Sequence, residues 1–206
     1  MGRPATVWGF FFAALAWFLA LTMLWMQVSA WTSYPAGGLA HIVLGNGAEQ
    51  WVRAVHKQPG RIEVDTRVIV PAAVQGDRKG VAELIAEVET ARYAYGLPLF
   101  LALLFAARGR HIVRKALLGY VILLVPQAFS LVFSILRQII VAGGSPAALG
   151  VAAWQMEGIA LGYQFGSLLL PTLAPILLWL WFDRAFFSSI VVEGWLARNA
   201  GSGEGN

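Results

Sequence analysis

The sequence predicts a mainly α-helical, polytopic membrane protein, with four transmembrane helices and a small α+β extracytoplasmic domain between helices 1 and 2. Three observations carry this. Hydrophobic residues make up 58% of the 206-residue chain and charged residues 13%, and the mean hydropathy is +0.66. That is more apolar surface than one soluble core can hide, so lipid is the solvent that the composition suits. A short basic turn containing Arg108, Arg110, Arg114 and Lys115 lies between apolar runs at Tyr93 to Ala107 and Ala116 to Leu136. Such a pair must cross a bilayer as a helical hairpin, and Lys and Arg in its short loop mark the cytoplasmic side. Finally, from Trp31 to Arg92 the composition switches to seven basic and seven acidic residues, as a water-exposed domain requires.

Residues 1–30 form the N-terminal transmembrane helix. Trp8 to Ala30 carries no charge and as a helix would extend roughly 35 Å at 1.5 Å per residue, enough for a ~30 Å hydrocarbon core. Trp8 and Trp31 stand at its ends as interface anchors. A cleaved leader competes with this reading, because Val28-Ser29-Ala30 resembles a small-residue cleavage site. The length of the run and the single Arg3 before it favour an uncleaved anchor.

Residues 31–92 form the extracytoplasmic domain. Pro35 to Leu44 and Ala48 to Lys57 read as short helices around Gly45-Asn46-Gly47. Arg61 to Val70 alternates, with Ile62, Val64, Val68 and Val70 on one face and Glu63, Asp65 and Arg67 on the other. It reads as a half-buried strand that Pro71 ends. Val81 to Thr90 fits either period. A strand is favoured because Gln75 to Gly80 has turn chemistry and the first strand needs a partner for its backbone groups.

Residues 93–184 form a three-helix transmembrane region, spanning about 93–107, 116–136 and 159–182. The first of these spans is short, with Gly96 and Pro98 near its outer end. In the next, Gly119, Leu123, Pro126, Gln127, Ser130, Ser134, Arg137 and Gln138 recur at helical spacing, so one face is unlike lipid. Gly143-Gly144-Ser145-Pro146 breaks the chain. The last span opens with Gly158, Gly162 and Gly166, four residues apart, a spacing that lets membrane helices approach closely. Residues 185–206 read as a cytoplasmic interfacial segment and a flexible tail.

The charge pattern and residue inventory narrow the function. A net charge of +4 reads as topogenic rather than as a nucleic-acid footprint, since its densest group sits at a membrane boundary. With no cysteine, disulfides and thiolate catalysis are excluded. No apolar span holds a histidine, and His111 is expected on the opposite side of the membrane from His41 and His56. No metal, nucleotide or hydrolase motif occurs, so neither catalytic nor cofactor nor metal residues are assigned. Gln127, Ser130, Ser134 and Gln164 form a polar bundle face, read as interhelical hydrogen bonding or, alternatively, as a substrate path. Arg137 and Glu157, both at outer helix ends, could form an ion pair.

The passage Tyr93-Ala94-Tyr95-Gly96-Leu97-Pro98-Leu99-Phe100-Leu101-Ala102-Leu103-Leu104, following an outer domain and an N-terminal span, resembles the exosortase H-associated membrane proteins, small bacterial membrane proteins. Pro126-Gln127, Tyr163-Gln164 and Leu170-Pro171 extend the resemblance. Glu89-Thr90-Ala91-Arg92 departs from the Asn-Pro turn expected there. The resemblance implies a bacterial inner-membrane accessory whose partner is an exosortase or its substrate, while the four spans and the basic turn predict a multi-pass topology with both termini cytoplasmic. Exosortases use a cysteine nucleophile, so this chain is not itself one. The competing hypothesis is a small transport or channel component using the polar face of helices 3 and 4.

Overall fold

A computed structural model describes residues 7–73, 79–144, 149–184 and 188. Most of the segment expected at 185–206, the turn at 75–78 and the breaker residues Ser145-Pro146 lie outside them. In chain order, α1 (Val7–Thr32) and α2 (Tyr34–Gly47) lead into β1 (Val52–Gln58), β2 (Arg61–Ala73) and β3 (Lys79–Glu89). A 3-10 turn (Thr90–Tyr93) then joins α3 (Gly96–Ala107), α4 (Ile112–Ala142), α5 (Ala153–Gln164), a π turn (Phe165–Leu169) and α6 (Leu170–Phe182).

Among the described residues three helical stretches are long and apolar enough to cross a membrane: Trp8–Thr32, Ile112–Ala142 and the continuous Ala153–Phe182. The stretch expected to make the second crossing is a shorter helix. α3 has 12 residues, about 18 Å at 1.5 Å per residue, less than the ~30 Å hydrocarbon core. Its N-terminus is fixed beside the sheet by the 3-10 turn, whose Thr90 and Tyr93 are buried.

The strands form an antiparallel meander in the order β1-β2-β3. Ala48 to Lys57, expected to be helical, is mostly strand: Val52–Gln58 pairs with Arg61–Thr66 around a tight turn whose Gly60 has φ +86°. Tertiary pairing there outweighs the helical spacing of Trp51, Val52 and Val55. Nor does Pro71 end β2, which runs on to Ala73. Beyond Thr66, β2 has lost its β1 neighbour and pairs with β3 alone. Pro71 therefore sits on a local edge, where a missing N–H is tolerated. The ambiguous stretch after the linker is the strand β3. Between Asp65 and Ile69 the β2–β3 register shifts, and buried Thr66 bridges the irregularity, its hydroxyl donating to Leu84 O at 2.8 Å and accepting from Val68 N–H at 3.2 Å.

Two apolar cores are stacked along α4. One joins Phe100 and Leu104 of α3 to Leu123 of α4 and to Leu178 and Trp179 of α6. The other joins Ala36, Ala40 and Leu44 of α2 and the inner face of the sheet (Ile62, Val64, Ala86, Val88) to Leu131, Val132, Ile135 and Ile139 of α4. The far half of α4 thus completes the core of the sheet. Gln138 adds a backbone-like clasp, its amide nitrogen donating to Glu87 O at 3.0 Å and its amide oxygen accepting from Glu87 N–H at 3.3 Å. The outer face of the sheet is laced by exposed cross-strand pairs, Arg53–Glu83 at 2.6 Å and Arg61–Glu87 at 2.7 Å, each worth at most about 1 kcal/mol.

Candidate functional site

The polar residues of α4 fall on the face that meets α3 and the α5–α6 stretch. Buried Ser134 accepts a hydrogen bond from the Tyr93 hydroxyl at 3.0 Å. One turn earlier, buried Ser130 lies 2.6 Å from Gly166 O and 2.8 Å from Pro126 O. The interhelical contact has a backbone cause. At the π turn Leu170 N–H bonds to Phe165 O, one residue further back than in an α-helix. The next residue, Pro171, has no N–H to offer, so Gly166 O is left without a helical donor. Ser130 supplies one. Approach this close needs the absence of a side chain: a Cβ on Gly166 would lie 3.1 Å from Ser130 Cα.

Gly162 receives the ring of Phe133, and a Cβ there would clash with the edge of that ring. Gly158 has nothing within 4 Å of a Cβ position and lies outside the helix contact. Two glycines that did not figure in the four-residue series are notches of the same kind. Gly119 receives Phe100, and a Cβ on Gly96 would stand 2.6 Å from Pro171 O. The signal for both was available, a glycine on the apolar face of a span, but nothing in the sequence identified the opposing side chain.

Gln127 is buried and its amide oxygen has no partner. It borders a cavity of about 10 Å³ shared with Tyr93, Gly96, Leu123, Pro171 and Pro175. That volume admits about one water molecule. In the seam Ser130 and Ser134 are engaged in joining helices, whereas the Gln127 amide oxygen is not. Gln164 stands apart from it, exposed on α5 in a groove of about 300 Å³ with Arg137 and Tyr163. Arg137 lies 4.4 Å above the Tyr163 ring, and among the described residues no ion pair joins it to Glu157.

At the opposite end of α4 the basic turn is pinned to the end of α6. Lys115 donates to Asp183 Oδ1, and Asp183 is buried, with its other oxygen unpartnered. Gly109 makes room for this pair, because a Cβ there would lie 2.8 Å from Asp183 Oδ1. Arg108 and His111 adopt left-handed conformations, with φ 49° and 58°, which reverse the chain within the turn. Arg108, Arg110 and Arg114 are exposed. In the sequence Lys115 is one topogenic charge among four, and the only signal for Asp183 is a lone carboxylate ending an apolar span.

The histidines are dispersed, His41 on α2, His56 on β1 beside Asp65 at 3.0 Å, and His111 at the basic turn. Among the described residues no group of three His, Cys, Asp or Glu side chains could hold a metal ion.

Long apolar helices that leave residues such as Phe12, Met23, Leu117, Val125 and Leu177 exposed, while buried polar contacts join their inner faces, define a helical membrane protein. A family model described as exosortase H-associated membrane protein matches residues 4–186. The chain belongs to that family. No curated protein and no solved structure matches it.

Proposed function

We propose that this protein is a non-enzymatic accessory of an exosortase-type protein-sorting system in the bacterial inner membrane, helping to assemble the enzyme or to present its substrate. Family membership supports the association, and the observation that carries the mechanical reading is the shared core of α4 and the sheet. A sheet joined to a helix by apolar packing, the Gln138 clasp and the Tyr93–Ser134 bond cannot swing freely. It would hold a partner's water-exposed part at a fixed height and rotation relative to a helix in the bilayer. In this reading residues 31–92 lie outside the membrane, both termini are cytoplasmic, and α3 completes a fourth crossing together with the 3-10 turn and neighbouring protein. The transport alternative draws no support from the seam, whose cavity has room for about one water.

The test is photo-crosslinking in native membranes from Arg53 and Glu83 on the sheet and from Leu161 and Leu168 on the α5–α6 stretch, all exposed, with mass-spectrometric identification. Crosslinks to an exosortase or its uncleaved substrate are expected, with impaired substrate processing when the protein is deleted. Unchanged processing together with no such crosslink would overturn the proposal.

A further inference from the structure

We propose that the free edge of β3 takes up an extended segment of another polypeptide as a fourth strand of the sheet. Gln138 reveals how that edge is oriented. It bonds both main-chain groups of Glu87 on the side away from β2, whereas Leu84 O faces β2 and accepts from the Thr66 hydroxyl. The register shift consumes residues of β2, with Asp65 and Ile69 opposite Ile85 and Glu83, so β3 keeps its period of two. The N–H and C=O of Ile85, Glu83 and Val81 therefore point the same way as those of Glu87, and among the described residues nothing bonds them. The opposite edge of the sheet is blunted, because β1 is short, irregular between Val52 and Ala54, and carries Arg53, His56 and Lys57. β3 has no such irregularity and no proline, and leaves Val81 and Ile85 exposed.

What the edge already holds names its occupant. A carboxamide, the side-chain group that copies a peptide bond, fills the place at Glu87, and the next three places repeat the same donor and acceptor. A second copy of this chain does not fit them. From Glu87 to Tyr93 the chain runs beside α4 from Gln138 to Ser134, so β3 follows a helix long enough to span the bilayer. Copies inserted in the same sense are related by an axis along the membrane normal, which would set β3 against β3 in parallel at equal height, N–H opposite N–H. Val81 to Ile85 offers about 13 Å, room for a partner stretch of about five residues. On the outer face its alternate side chains lie beside Val81, Glu83 and Ile85, so the fitting pattern is apolar, basic, apolar at every second residue, in either chain direction. The inference stands on the edge alone and does not depend on the exosortase association.

The experiment is residue-resolved amide hydrogen exchange of the full chain in detergent, with and without a millimolar peptide, acetylated and amidated, that carries valine, lysine and valine at alternate positions between threonines. Exchange at Val81, Glu83 and Ile85 should slow at least about tenfold. The same peptide methylated on every main-chain nitrogen keeps its side chains and loses its donors, and it should give no slowing. Glu83→Pro removes the central outward N–H, a change that an edge strand tolerates, and should abolish the slowing at Val81 and Ile85. The comparison of the two peptides uses the unaltered protein and decides the matter if that variant fails to fold. Equal slowing by both peptides, slowing by neither, or amides that exchange slowly in the free protein and faster on dilution, the mark of a second copy, would overturn the proposal.

Discussion

Gly162 and Gly158 are one helical turn apart and chemically identical, yet they meet different surroundings. The first receives Phe133, while the second faces open space. Gly162→Leu must displace a ring wedged between two helices, and overpacking of this kind costs about 1–3 kcal/mol. Gly158→Leu and Leu177→Ile, at an exposed position, should leave stability almost unchanged. Thermal unfolding in detergent distinguishes them: a clear drop for Gly162→Leu alone is expected, and equal melting of all three variants would show that the notch contributes nothing. Which glycines could approach a neighbour was legible from their spacing. Which ones do so was not, because spacing defines a face of one helix and the contact depends on the register of another.

At the level of elements, α6 ends in a tether. Asp183 is buried against Lys115 in the space left by Gly109, and it joins the end of the last apolar stretch to the turn between α3 and α4. A buried pair stripped of one partner loses about 3–5 kcal/mol, whereas replacing both members by apolar residues is often nearly neutral. Lys115→Met should therefore lower the melting temperature markedly, and Lys115→Met with Asp183→Leu should recover most of the loss. If the double variant is no more stable than the single, the pair is not what holds α6. Helix and strand periods made α1, α2, β2 and the far α5–α6 stretch readable from sequence, and β3 followed from the turn chemistry before it and the need of β2 for a partner. β1 was missed because its apolar residues also fit a helix and only pairing with β2 decides between the two. The π turn was invisible, since nothing in Phe165 to Leu169 demands it; Pro171 is its visible consequence, a residue that cannot take up the carbonyl that the turn releases.

For the whole molecule, the orientation rests on Arg108, Arg110, Arg114 and Lys115, and the absence of cysteine makes it measurable without background. Cysteine placed at the exposed Glu49 of the sheet end should react with an impermeant thiol reagent added outside, and cysteine at exposed Arg110 should not. Labelling of both, or of Arg110 alone, would reverse or dismantle the proposed topology. Gly109 is the wrong place for such a probe, because its site is filled by Asp183. The joined cores also carry a consequence for how the protein is made. A ribosome delivers α2 and the three strands before it delivers Leu131 to Ile139 and Gln138, so the newborn sheet has its apolar face covered by α2 alone and Glu87 unclasped until α4 arrives. Biosynthesis must therefore shelter an unfinished sheet until α4 is seated against it.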